Sequence, residues 1–592
     1  MSALVQGHAA FADQQYSSLA GFTFLFNVIM GTGPLTLPAA FQQAGWLTGI
    51  IVLIILCFMS FITFTYTVEA LSITNAVFVV RKSHCVSSSD SSAQFPNLDR
   101  MLAVPAQHVT ESSVSGLQDS DDATSLRQHF NIVRKFELGD MFTLYFGRTG
   151  NILFYLVISV YLYGDLSIYA AGVPKSFRDV VCTSNGNDSF IDDYIDLCWT
   201  FSSLSRFNVY RICVVCFATC MLPFLFFHVT RSRWLQLITT ALRWISFLLM
   251  FCLAIDRAIV IRRQLSTSDL TLSRLWNPAL HPLILQASEP AVIPKPPLVR
   301  AQGIPNLFGV CVYAFMCHHS IPGLVTPIRN KKNIILRVFI PLFLCVLSFN
   351  LLLSGTAVAA FDEIKDLYTL NFVPSEQSAV AFGISYTLAK VFGYFLSLFP
   401  VFALSSTFPI LCCTLLGNLH TLVGMCTTCR TPVGLGLLRW TLPFVVILPP
   451  VCVALWTANI GFLVGFTGAF AGSAIQYIIP ALLVYRARSY FFNMLTIIDT
   501  CSSSDDSSSI ENEEATELLH THQNEVGGAH FQTGRICSVI WSRFVWLWTS
   551  SRRLRVPTTF ASPFQHFVWI LLLLVWSVFC IIIVLVDKIH PL

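Results

Sequence analysis

Eleven apolar runs, each of about the 20 residues a helix needs to cross a bilayer, recur along the chain at approximately 18–40, 46–72, 150–174, 207–229, 236–261, 303–327, 335–360, 386–415, 437–457, 460–485 and 564–586. In hydrocarbon every backbone N–H and C=O must be satisfied within the protein, so runs of this length predict helices that cross the membrane side by side. Only 11% of the 592 residues are charged. Soluble domains carry about a quarter, and the expectation is therefore an all-α polytopic membrane protein whose first partner is the lipid bilayer. A net charge of +4 over this length, with its basic residues scattered, excludes a nucleic-acid partner.

The spans divide the chain into five regions: helices one and two in 1–72, a polar loop in 73–149, helices three to ten in 150–488, a second polar loop in 489–562, and helix eleven with a short tail in 563–592. Both loops are rich in Ser, Asp and Glu and hold too little apolar surface to order themselves, so each is expected to be largely disordered. Lys and Arg concentrate on the side that holds these two loops, which makes that side and the N-terminus cytoplasmic. On the opposite side falls the sequon Asn187-Asp188-Ser189, a glycosylation acceptor, flanked by Cys182 and Cys198. In an oxidising compartment those two thiols can pair; the alternative is two free cysteines.

The first span contains Gly31-Thr32-Gly33-Pro34 and then Pro38. Two glycines and two prolines so close together interrupt the helical ladder and free backbone groups that lipid cannot satisfy. Such a break is tolerated where it faces protein or a watery cavity, which is how discontinuous helices come to build binding sites. The sixth span is interrupted in the same way around Cys317-His318-His319-Ser320-Ile321-Pro322-Gly323. Two broken helices five spans apart fit a five-plus-five inverted repeat, spans 1–5 and 6–10, with the eleventh added.

Residues Asn27 to Leu35, Gly309 to Ser320 and Val464 to Ala481 resemble the corresponding segments of the amino acid/auxin permease family in the APC superfamily. Tyr161-Leu162-Tyr163-Gly164-Asp165-Leu166 and Tyr368-Thr369-Leu370-Asn371-Phe372 point within it to the transmembrane protein 104 group. The resemblance covers nearly all the spans and neither polar loop. It implies the leucine-transporter-like fold and amino-acid transport.

An amino acid needs one partner for its carboxylate and another for its ammonium, and the two ends of a broken helix offer N–H groups and carbonyls respectively. On that logic Gly31, Thr32 and Gly33 would hold the carboxylate, with Cys317, His318 and Ser320 on the facing wall. His319 is a candidate for proton coupling. Carbonyls near Asn27 and Met30, with hydroxyls of Ser405, Ser406 and Thr407 in span eight, make an oxygen nest for a small cation. Proteins of the similar fold place sodium there, which makes sodium the candidate bound ion; capping of the helix by its own hydroxyls is the alternative. Asp165 in span three, between Tyr163 and Tyr169, is an intramembrane acid and so a coupling candidate. Glu69, near the inner end of span two, is a second such acid, with a place at the cytoplasmic interface as the alternative. Arg243 beside Trp244, and Lys390, are read as interfacial anchors.

Three further features complete the reading. Span ten carries a small-residue face, Gly465 to Ala474, suited to close helix packing. Cys426 and Cys429 form a lone Cys-x-x-Cys without a second ligand pair, so no metal site is expected. Glu514 lies four residues before Leu518-Leu519, a pattern that sorting adaptors recognise on endosomal and lysosomal proteins. No phosphate loop or nucleophile-base grouping is present, so the chain is not expected to be an enzyme or to bind a cofactor. The sequence supports a secondary transporter of amino acids, driven by sodium or protons, in an endolysosomal or plasma membrane. Its rival is an amino-acid-binding sensor that signals through the two polar loops.

Overall fold

The computed structural model describes residues 15–87, 130–182, 196–199, 203–226, 233–274, 297–331, 333–374, 385–426, 432–504 and 558–589. Asn187, Cys429, Glu514, Leu518 and Leu519 lie outside them. Among the described residues the regular structure is helical apart from two isolated bridges. Nine helices there are long and apolar enough to cross a membrane, and one bent pair makes a tenth. Where the sequence places its ninth span lies the apolar helix Trp440–Trp456.

The bent pair is the first span. Helix α1 (Ser18–Ile29) starts at Ser17, whose hydroxyl accepts from the N–H of Ala20 at 3.2 Å. After three residues α2 (Gly33–Ala44) follows, with Pro34 in its first turn, at 53° to α1. Helices α3 (Trp46–Ser87), α4 (Leu138–Val181), α5 (Arg206–Phe226) and α6 (Arg233–Arg274) follow. In the sixth span α7 (Ile304–Ala314) stops, three residues form a tight turn at His318–Ser320, and α8 (Ile321–Val325) resumes with Pro322 near its start. Then come α9 (Ile340–Ala360), α10 (Tyr386–Cys426), α11 (Pro432–Trp456), α12 (Ile460–Thr467), α13 (Ile479–Ser504) and α14 (Phe567–Ile589). The expectation of a polytopic helical protein with broken first and sixth spans therefore describes the molecule.

Span ten is less regular than its hydropathy suggests. Two π-helical segments, Gly468–Gly472 and Ala474–Ile478, separate α12 from α13. Its glycines permit contact: a Cβ on Gly309 of α7 would overlap the carbonyl of Gly465, and one on Gly468 would overlap the carbonyl of Gly309. Backbone thus lies on backbone along α7 and span ten.

The boundaries drawn at 73 and 149, and at 489 and 562, need correction. Helix α3 continues to Ser87, and Phe130, Ile132, Phe136, Met141 and Phe142 are buried in the core. Likewise α13 runs to Ser504, while Thr558, Phe560 and Ser562 are buried. Polar residues extend these helices because partners elsewhere in the chain satisfy them, which hydropathy cannot register. Asn75 takes the N–H of Arg134 on its carbonyl oxygen at 2.9 Å, and Ser72 donates to the carbonyl of Phe130 at 2.7 Å. Ser562 meets Thr65 at 2.8 Å, and Tyr66 donates to the carbonyl of Phe564 at 2.7 Å.

Glu69 is at the centre of this closure. It is wholly buried and forms a two-armed ion pair with Arg488 of α13, at 2.7 and 2.8 Å, while Oε2 also accepts from the N–H of Ser562 at 2.8 Å. Arg488 donates its remaining arm to the carbonyl of Gln565 at 3.0 Å. With each side-chain nitrogen and oxygen bonded to a partner, the pair meets the condition under which burying two charges is tolerated, and removing one partner strands the other. At the opposite end of α4, Lys175 pairs with Asp366 at 2.8 Å, Asp179 holds Arg178 and Arg206, and Cys182 is disulfide-bonded to Cys198.

Removing Glu69 should therefore cost about 3–5 kcal/mol. Glu69→Ala is expected to lower the thermal midpoint of the purified chain by many degrees. Lys135→Ala, which breaks the exposed pair with Glu137, should leave it nearly unchanged, since such pairs contribute about 0–1 kcal/mol.

Candidate functional site

The two interruptions meet. A Cβ on Gly33, the first residue of α2, would stand 2.7 Å from Cα and 3.0 Å from N of Ala314, the last residue of α7. Only hydrogen fits, so Gly33 lets the start of one half-helix touch the end of another. Gly31 is different: the nearest atom to a Cβ there is the carbonyl oxygen of Val28 at 3.9 Å. Of the glycines expected to bind ligand, Gly33 is committed to packing and Gly31 has room beside it.

Around this junction the side chains form a connected polar group. The Thr32 hydroxyl donates to the Tyr313 hydroxyl at 3.1 Å, and both residues are buried. Tyr313, one residue before the end of α7, reaches the carboxyl of Asp165 on α4, as does the hydroxyl of Tyr161. Asp165 is buried, and its Oδ1 has no hydrogen-bond partner among the described residues. The ring of His319 lies 5.7 Å from that of Tyr161, and its Nδ1 is also buried without a partner among the described residues. Cys317 is fully buried within electrostatic reach of Tyr161. Ser320 is half-buried beyond it.

His318 faces the other way. Its Nε2 meets the hydroxyl of Thr63 on α3 at 2.9 Å, and the ring packs near Phe64. The structure does not bring it into the group around Asp165. Successive residues in the tight turn diverge, so His319 points toward α4 and His318 toward α3.

The C-terminal end of α1 is held by a residue assigned to a lipid interface. Arg243 on α6 donates from Nη1 to the carbonyl of Asn27 at 2.8 Å. The last carbonyls of a helix lack intrahelical partners and carry the negative end of its dipole, so a cation is favoured there. Trp244 fixes the approach by stacking on Phe26, with ring centroids 4.8 Å apart and planes 12° from parallel. Among the described residues Arg243 has no carboxylate partner. Tyr169 lies within electrostatic reach of both Arg243 and Asp165. Met30 is buried, and the side-chain oxygen of Asn27 is buried without a partner among the described residues.

On α10 the Ser406 and Thr407 hydroxyls donate to the carbonyl of Ala403 at 2.9 and 3.0 Å. Ser405 is half-buried on the same turn. That helix packs mainly on α4 and α6.

Tyr161, Tyr313, Tyr169 and Arg243 were not singled out as site residues from sequence. One signal was available: Tyr161, Asp165 and Tyr169 are spaced four apart and share a helix face. Tyr163, two residues from Asp165, points away and donates to the carbonyl of Val445 at 2.9 Å.

A family model described as transmembrane amino acid transporter protein matches residues 14–85 and 134–496. The chain belongs to that family. Within the transmembrane amino acid transporter family it is 34% identical over 602 residues to the transmembrane protein 104 homolog of Drosophila melanogaster, covering 99% of each chain. To transmembrane protein 104 of Homo sapiens it is 35% identical over 499 residues, which span 81% of this chain and 90% of that one. These relatives place it in the transmembrane protein 104 group. Among solved structures it is similar, at 12% identity and a TM-score of 0.34 over 81% of this chain and 80% of the other, to Mhp1. That protein is a nucleobase-cation-symport-1 family transporter, in a closed conformation with bromovinylhydantoin bound. The family match skips 86–133 and ends at 496, so it leaves out most of both polar stretches.

Because Gly33 is in contact with backbone and Gly31 is not, the two glycines separate packing from binding. Gly33→Ala should destabilise the purified chain by about 1–3 kcal/mol through overpacking. Gly31→Ala should unfold at the wild-type midpoint. Equal midpoints for the two variants would contradict the contact.

Proposed function

We propose that this membrane transporter carries an amino acid, binding it at the junction of the two broken helices and moving it by alternating exposure of that site under an ion gradient. One observation carries the reading: Oδ1 of Asp165 and Nδ1 of His319, buried and without partners among the described residues, belong to the polar group that Thr32 and Tyr313 begin where the two interrupted helices touch. Burying such atoms without partners is costly, and a polar ligand offsets the cost.

A zwitterion has the complementary groups. Its carboxylate suits the N-terminal end of α2, on the open side beside Gly31 and Thr32, at the positive end of the helix dipole. Its ammonium suits Asp165, held in place by Tyr161 and Tyr313. Because Thr32 donates to Tyr313 and Tyr313 reaches Asp165, the two ends of the ligand would be read by one connected set of side chains. His319 and Asp165 are then the groups placed to take part in proton coupling. Residence in an endolysosomal or plasma membrane, with the N-terminus cytoplasmic, belongs to the same reading. So do glycosylation at Asn187 and capture by sorting adaptors through Glu514, Leu518 and Leu519; these rest on sequence alone.

The test is uptake of a panel of labelled amino acids into proteoliposomes containing the full chain, with an inward sodium gradient, an inward proton gradient or neither. Gradient-dependent uptake is expected. Asp165→Asn should reduce it by about tenfold or more, the effect of losing a charge-assisted hydrogen bond of about 1.5–3 kcal/mol. Uptake of no amino acid by a demonstrably folded chain would sink the proposal and favour an amino-acid-binding sensor.

A further inference from the structure

We infer that the cation site at the break in α1 is filled by the chain itself, through the guanidinium of Arg243, so that the carrier operates without sodium. The inference rests on the transport reading for its consequence and on geometry for its content.

A sodium nest at this break would draw on the carbonyls that end α1 and on the hydroxyls of Ser405, Ser406 and Thr407. The Asn27 carbonyl already accepts from Arg243 at 2.8 Å. A sodium ion bound to that oxygen would share it with a full positive charge. No carboxylate among the described residues is paired with Arg243 to offset the repulsion. The residues present therefore do not fit a sodium ion in addition to the guanidinium. They fit the guanidinium in its place: an arginine stays charged, is less strongly hydrated than an ammonium, and donates along fixed directions to a helix end whose dipole favours a cation.

The placement is built rather than incidental. Trp244, the next residue, is stacked on Phe26, the residue before Asn27, and Phe26 also meets the ring of Phe349 on α9 edge-on at 6.1 Å. That stack holds the backbone of α6 beside the end of α1, within reach of the guanidinium. On its other side Tyr169 connects the guanidinium electrostatically to Asp165. A bound sodium can leave on one side of the membrane and be replaced from the other; a tethered cation cannot. It therefore stabilises the break in every state and contributes no ion to the transport stoichiometry.

The experiment measures the thermal midpoint of the purified full chain in choline chloride and in sodium chloride at constant ionic strength, alongside uptake of the amino-acid panel in the two salts. The wild-type midpoint and uptake are expected to be the same in both. Arg243→Ala should lower the midpoint by several degrees, and Arg243→Lys, which keeps a charge on the same stem, should recover most of the loss while its uptake remains indifferent to sodium. A saturable rise in the wild-type midpoint specific to sodium, as a bound ion produces by mass action, would overturn the inference. An Arg243→Ala midpoint equal to wild type would do the same. If that variant does not fold, the wild-type titration and the Lys variant carry the test. Absence of uptake for every amino acid, with a midpoint indifferent to sodium, would remove the transport reading and leave the assignment of Arg243 intact.

Discussion

The approach of Gly33 to Ala314 is the contact on which the candidate site depends. Two helices that cross lipid must be broken to free backbone groups, and each break must find protein to face. Here each finds the other. Once the start of α2 lies on the end of α7, Thr32 is in reach of Tyr313, Tyr313 is in reach of Asp165, and polar atoms that lipid would not tolerate are collected in one buried place. The glycine-on-glycine packing of α7 against span ten holds the far side of that wall.

Charge is handled by the same rule of local compensation, with different outcomes at different places. Glu69 and Arg488 are buried with all their groups satisfied, and they tie α3, α13 and the segment before α14 into a closed end. Lys175 and Asp366 tie the loop after α9 to the start of α12, where the N–H of Ile460 donates to Asp366 at 2.8 Å. Among the described residues Asp165 and Arg243 are the contrast: an acid with an oxygen lacking a partner, and a cation on a helix end with no acid paired to it. Fully paired charges make a scaffold, and incompletely paired ones near a break make a site.

Much of the architecture was legible in the sequence, because hydropathy and helix breakers are local properties. The run Gly31-Thr32-Gly33-Pro34 announces its own discontinuity, and Asp165 is conspicuous as an acid in an apolar span. What the sequence hid were partners. Nothing near Glu69 indicates that Arg488 will meet it, and Arg243 beside a tryptophan looks like a lipid-interface anchor until α1 is placed against it. The ends of the polar stretches, around Phe130 and Ser562, were read as loop because their burial depends on Ser72, Asn75 and Thr65 of a helix remote in sequence. The orientation of two adjacent histidines, one to Thr63 and one to Tyr161, follows from a single tight turn that residue identities do not encode.

The most direct test of the site is protection of Gly31→Cys. A cysteine there has open space around its Cβ and lies at the junction of the breaks. In the full chain, reconstituted and treated with a small water-soluble thiol reagent, this variant should label faster than the unsubstituted protein. A transported amino acid should slow that labelling at concentrations that saturate uptake. Labelling indifferent to every amino acid that the protein takes up would place the substrate elsewhere and contradict the account.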